Sequence, residues 1–154
     1  MRREISVILA VVLAATCGVT CFAPAAEAAV IYVDASAGGS GSGRSWTNAH
    51  TDLQAALEAA SSGDEIWVST GTYSPGSAPE DTFEMKNCVR IYGGFAGTET
   101  RRSQRDPAVS ITVLSGGNNN YHVVTADTGV GNSALLDGLT VTGGKLGNGE
   151  RGVP

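Results

Sequence analysis

Charge is scarce in this chain, and positive charge scarcer still. Asp, Glu, Lys and Arg make up 16% of the 154 residues, against about 25% in an average soluble domain. Acidic residues outnumber basic ones 15 to 10, for a net charge of −5. That balance argues against a nucleic-acid partner, whose phosphates need a basic surface. Aromatic residues are also few, at 6%. Cysteine is rarer: two of the three, Cys17 and Cys21, fall in the first 21 residues and only Cys88 lies beyond. A disulfide-stapled scaffold is therefore not expected, and Cys88, in an apolar stretch, reads as a small buried hydrophobe. A long apolar run is missing too. Ile5–Ala15 is short, and Thr16, Gly18 and Thr20 interrupt its continuation, which argues against a transmembrane span. Disorder is disfavoured because 42% of the chain is apolar and the apolar residues cluster.

The first 28 residues have the order of an export leader. Arg2 and Arg3 form a basic start, Ile5–Ala15 an apolar middle, and Ala26-Glu27-Ala28 a small-residue cleavage site. Residues 1–28 are read as a signal peptide for the general secretory route, leaving a secreted or cell-surface protein with no membrane span. Lipid on Cys17 is the lesser alternative, since Thr16 fits poorly before a lipidated cysteine. The leader takes away Arg2, Arg3, Glu4 and Glu27, so the net charge is unchanged. Cys88 is then the only cysteine, and no disulfide within the exported chain is expected.

Glycine is abundant, with 21 residues. Together with β-branched residues it points to many short strands joined by tight turns. One segment differs. In Asp52–Ala60, residues Leu53, Ala56, Leu57 and Ala60 fall on one helical stripe, with Thr51 as the expected N-cap and Ser61-Ser62-Gly63 as the stop. Val30–Val33 reads as a strand before it. After Gly63 the helical period disappears. GDEIWVSTGTYSP holds the strand Ile66–Val68, ended by Gly71-Thr72-Tyr73. Val89–Tyr92 ends at Gly93-Gly94, Ile111–Leu114 at Gly116-Gly117, and Leu139–Thr142 at Gly143-Gly144. Ile66, Ile91, Val113 and Leu139, taken as equivalent, are 25, 22 and 26 residues apart. A near-constant period of this size signals a solenoid. Thr82–Met85 and His122–Thr125 are weaker strands between them.

The expected fold is all-β: a right-handed parallel β-helix with a short N-terminal capping helix. Val89 and Ile91 should point inward, and Arg90 and Tyr92 outward. The helix would cover the open first coil, and residues 29–154 would hold the cap and about three coils. An antiparallel β-sandwich is the alternative. The Gly-rich run after Thr142 has few apolar residues. An unpaired edge and self-association through it are therefore expected at that end.

Chemistry-bearing motifs are weak. Gly38–Ser45, GGSGSGRS, approaches a phosphate loop with Arg44 in place of Lys, but Trp46-Thr47-Asn48 stands where a helix should open, so a flexible turn is the reading. Arg101, Arg102 and Arg105 are read as a solvated loop paired locally with Glu99 and Asp106, with sugar contact as the alternative. Asp127, Asn132 and Asp137 are too scattered to supply calcium's six to eight ligands. His122 is read as a structural histidine in an apolar strand, and neither it nor His50 is tied to Cys88. Asp64-Glu65 and Glu80-Asp81 are adjacent acids and carry little specificity for glycoside cleavage. No catalytic, cofactor-binding or metal-ligating residue is assigned, and no cofactor is expected.

The stretch IYVDASAGGSGSGRSWTNAHTDLQAALEAASSGDEIWVSTGTYSP resembles the opening of secreted bacterial right-handed parallel β-helix proteins of the pectin-lyase-like superfamily. YGGFAGTETRRSQRD, ITVLSGG and LLDGLTVTGG continue the pattern, and the layout is similar to that of polymorphic outer-membrane proteins. The resemblance implies the fold, export, and the N-terminal portion of a longer architecture. No catalytic residue of the superfamily's lyases or hydrolases can be matched here. The function expected is adhesion or contact with polysaccharide or cell-surface glycan, without catalysis. A fragment of a polysaccharide lyase or glycoside hydrolase and a non-functional truncated product are the alternatives. N-terminal sequencing of exported material should give Ala29. A mature terminus at an acylated Cys17 would contradict this.

Overall fold

The computed structural model describes residues 28–145. The leader with Cys17 and Cys21, and the Gly-rich run after Lys145, lie outside the described residues. Within them the chain forms β1 (Val30–Val33), α1 (Leu53–Ala59), β2 (Glu65–Ser69), β3 (Gly71–Tyr73), β4 (Phe83–Met85) and β5 (Arg90–Phe95). A 3-10 turn (Arg102–Gln104), β6 (Thr112–Ser115), β7 (Val124–Ala126), β8 (Leu135–Asp137) and β9 (Thr140–Thr142) follow.

The fold is β-rich, and its strand pairs are parallel. One sheet has the order β1-β2-β5-β8, a second β3-β6-β9, and a third β4-β7. From β2 onward the chain visits the first, second and third sheets in turn, then begins again at β5 and again at β8. Parallel pairing removes the antiparallel sandwich from consideration, since parallel strands need long crossovers rather than hairpins.

Register decides what is buried. Ile31 pairs with Ile66, Ile66 with Ile91, and Ile91 with Leu136. Ile66, Val68 and Val33 are fully buried, and Ile91 nearly so. They meet Tyr73 and Leu114 of the second sheet and Phe83 and Met85 of the third in one apolar core. Fully burying one such aliphatic or aromatic side chain contributes about 1.5–3 kcal/mol.

The helix is where the apolar stripe places it, but one residue shorter at each end, with a different cap. Asp52, not Thr51, is the N-cap. Its backbone is extended and its Oδ1 accepts from Gln54 N at 3.0 Å. At the other end Lys86 Nζ donates to Glu58 O (3.0 Å) and Ala60 O (3.1 Å), placing a cation on the orphan carbonyls. Leu53, Ala56 and Leu57 are buried in the core beside Val33, Ile66, Val68 and Phe83. The helix thus covers one end of the interior.

The free edge of β1 is closed by the loop that leads to the helix. Tyr32 N donates to Gly43 O, His50 N to Tyr32 O, and Asp34 N to His50 O, all at 2.9 Å. A parallel bridge joins Val33 and His50. Backbone groups that an edge strand would leave open are thereby used.

Three strand expectations are corrected. Val113 does not stand beside Ile66 and Ile91: it pairs with Thr72 and Thr140 in the second sheet. The near-constant spacing therefore joined strands of two sheets, because residues 96–111 lengthen one cycle. Gly71-Thr72-Tyr73 is not a stop but β3 itself, and Gly93-Gly94 lies inside β5. Cys88 is buried, with Sγ 3.4 Å from Ser133 Oγ. It is disulfide-bonded in the full-length chain. The expectation of a cysteine without a sulfur partner counted only the exported form.

Leu57 is 2% exposed, so Leu57→Ala should lose about 2–5 kcal/mol of stability in chemical denaturation. A loss near zero would show that the helix does not seal the core.

Candidate functional site

Strand alternation gives the first sheet a second, outward face. Tyr32 pairs with Trp67, Trp67 with Tyr92, and Tyr92 with Asp137, so three aromatic side chains form one row. The sequence reading leaves Tyr92 outside. It does point away from the main core, but it is only 5% exposed. Trp67, Tyr92 and Phe95 form a separate buried cluster, with Val30, Tyr32 and Trp46 packed against it. Trp67 and Phe95 stack at 4.8 Å with 10° between their planes. Trp46 meets Tyr32 edge-on at 4.8 Å and Phe95 at 5.5 Å. Such pairs add about 0.5–1.5 kcal/mol beyond area burial.

Tyr92 is buried because residues 96–111 fold back across this face. Arg102 lies over its ring at 4.6 Å and Arg105 at 5.2 Å. Arg102 Nη1 donates to Glu65 Oε1 (2.6 Å) and to Tyr92 OH (3.0 Å). Arg105 Nη2 donates to Asp137 Oδ2 (2.6 Å), and its Nη1 to Gly93 O (3.1 Å). The arginine loop therefore does not pair locally with Glu99 and Asp106. Its partners lie on three strands of the sheet. Glu99 and Asp106 instead accept backbone amides of their own turns. Gly94 explains the close docking: its φ is +92°, and a Cβ there would stand 2.6 Å from Pro107 Cγ.

Beside the aromatic cluster lies an open groove of about 340 Å³, lined by Asp34, Ser36, Gly38, Gly39, Trp46, Thr47 and Gly97 among others. It joins two stretches distant in sequence, residues 34–47 and the turn at 97. Trp46 Nε1 donates to Glu99 O at 2.8 Å, which fixes the indole. Ser36 N and Ser36 Oγ donate to Asp34 Oδ1 at 2.9 and 2.7 Å. A fixed aromatic side chain, a carboxylate and two hydroxyl side chains thus meet in one concave site. This is the usual composition of a small-ligand site, an apolar wall with a few oriented polar groups. Sequence reasoning misses it. Residues 38–45 read only as a flexible turn, and only the pairing of Trp46 with Glu99 reveals the wall opposite.

Other sequence candidates have structural employment. Asp64 Oδ1 and Oδ2 accept from Ala29 N and Ser61 N. Glu65 also accepts from Trp67 Nε1. Asp81 Oδ2 accepts from Ala78 N, and Glu80 is exposed. His50 serves the β1 edge through its backbone. His122 is exposed and lies before β7, not in a buried strand. Asp137 is taken by Arg105, and Asp127 and Asn132 are exposed. No helix opens at the end of Gly38–Ser45, so the phosphate-loop geometry is not made. Among the described residues no three His, Cys, Asp or Glu side chains converge as a metal site, and no helix is long and apolar enough to cross a membrane.

Comparison with known proteins adds no identity: no family model, no curated protein and no solved structure matches the chain.

Glu99 supports the groove wall. Desolvation alone would raise its pKa, but the amides of Ala96, Thr98, Glu99 and Gly97 together outweigh it and hold the carboxyl below 4.5. A carboxylate with a lowered folded pKa stabilises fully above its unfolded value and ceases to do so as pH falls through the folded one. Wild type should therefore be more stable than Glu99→Gln at pH 7, and the gap should close as pH drops below 4.5. Urea melts across that range test it, and a gap independent of pH would refute it.

Proposed function

We propose that this chain is an exported right-handed parallel β-helix that contacts glycan through the Trp46 groove and performs no catalysis. The fold part of the reading is supported by three parallel ladders that the chain visits in a fixed cycle, with one helix over the end of the interior. On this reading each cycle is a coil, α1 is the cap, and residues 1–28 are the leader that takes the protein to the cell surface or beyond. The resemblance in sequence to pectin-lyase-like β-helices points the same way, while fold alone fixes no function.

The observation that carries the glycan part is the groove itself. A pyranose presents an apolar C–H face and a rim of hydroxyls. The fixed indole of Trp46 lines the groove as its aromatic wall, and Asp34, Ser36 and Thr47 line it with acceptors and donors. The rival reading is a fragment of a polysaccharide lyase or glycoside hydrolase. It would need acids that converge on a substrate bond. Asp34 is the one carboxylate that lines the groove, and Glu99 is spent on the amides of its own turn, so no pair of acids converges there. Self-association belongs to the proposal as well. Among the described residues, Leu135 on β8 and Val141 on β9 are 41% and 50% exposed on the last strands of their sheets, and on this reading a second copy pairs there.

The test is affinity electrophoresis of the exported protein in gels carrying soluble polysaccharides. Wild type should be retarded, and Gly38→Leu should weaken binding at least about tenfold by filling the groove. A Cβ at Gly38 meets nothing within 4 Å, so this variant keeps the fold. Incubation with the same polymers should release no unsaturated or reducing sugar ends. Release that is lost on mutating named acids would establish the enzyme instead.

A further inference from the structure

We infer that the Trp46 groove selects neutral glycan and rejects uronate-bearing glycan, with Asp34 as the discriminating residue. This rests on the glycan reading of the groove and gives it a substrate class.

The argument is one of charge and hydrogen-bond direction. Asp34 is the only charged side chain among the groove-lining residues. Both donations from Ser36 fall on its Oδ1. Its Oδ2 reaches toward Gly97, where a Cβ, if the glycine carried one, would stand only 3.2 Å away. That oxygen is an acceptor held at the groove wall, suited to the hydroxyl of a neutral sugar. Glu99, which does not line the groove, spends both carboxylate oxygens on the amides of Ala96, Gly97 and Thr98. A ligand carboxylate lodged here would face the like charge of Asp34.

Among the described residues no cation lines the groove to offset this. Arg102 and Arg105, the basic residues docked on the same sheet face, are paired with Glu65 and Asp137. Arg44 and Arg101 are exposed and do not line the groove. An acidic glycan would therefore lose the indole contact or bear uncompensated repulsion, and like-charge juxtaposition is an effective means of excluding a partner. The net charge of −5 works in the same direction at longer range.

The experiment compares two neutral polymers, a galactomannan and a mixed-linkage glucan, with polygalacturonate and alginate. Wild type, Asp34→Asn and Gly38→Leu are measured by affinity electrophoresis at low and high salt. Wild type should prefer the neutral polymers by about tenfold or more, and high salt should narrow the gap. Asp34→Asn, similar in shape but uncharged, should bind uronate polymers several-fold more tightly while keeping most of its affinity for neutral ones. If wild type binds uronate polymers as well as neutral ones, and Gly38→Leu abolishes both, the glycan reading stands and the selectivity is wrong. If no polymer shows binding that Gly38→Leu weakens, the glycan reading falls and the selectivity with it.

Discussion

In-register parallel pairing across β1, β2, β5 and β8 is the constraint from which the rest of the molecule follows. Like positions are set directly above one another, so one choice of register fixes both faces of the sheet at once. On one side it lines up Ile31, Ile66, Ile91 and Leu136 as a wall of the interior. On the other it lines up Tyr32, Trp67 and Tyr92. A slip of one residue would exchange the rows, putting aromatic rings and a glutamate into an interior sized for isoleucine. Buried apolar area on both faces thus opposes the same error.

The outward row does more than fill space. It makes a platform on which a loop of mixed charge can settle, because each guanidinium finds a ring beneath it and a carboxylate beside it. Individually these contacts are small, since exposed ion pairs contribute about 0.2–1 kcal/mol and cation–π contacts a similar amount. Their value lies in geometry. They hold residues 96–111 against the sheet, which brings Glu99 O to the Trp46 indole and Gly97 to the groove as its second wall. The groove is therefore a product of loop docking on a strand ladder rather than of any contiguous motif.

Much of the scaffold was legible in the sequence. Leu53, Ala56 and Leu57 keep strict helical spacing, and Ile66 and Ile91 sit in strands with clear alternation, so local period sufficed for each. What failed depended on pairing. Val113 looks equivalent to Ile91 by spacing, yet the choice between sheets is made by the length of the intervening loop, which no local pattern encodes. Gly93-Gly94 reads as a stop because glycine usually ends a strand. Here it admits Pro107 and the carbonyl of Gly138, contacts made by residues well downstream. The candidate site was illegible for the same reason: Trp46 and Glu99 are 53 residues apart, and neither flank hints at the other.

The placement of the aromatic cluster has a spectroscopic consequence. Both tryptophans of the chain, Trp46 and Trp67, lie in it, and none lies in the three-sheet interior. Intrinsic tryptophan emission is therefore a selective reporter of the outer face, sensing the seating of the arginine loop. The interior is silent at that wavelength and is seen through backbone circular dichroism. Two optical signals on one unlabelled sample thus follow two separate parts of the molecule, and their midpoints coincide only where loop docking and strand pairing are a single cooperative event.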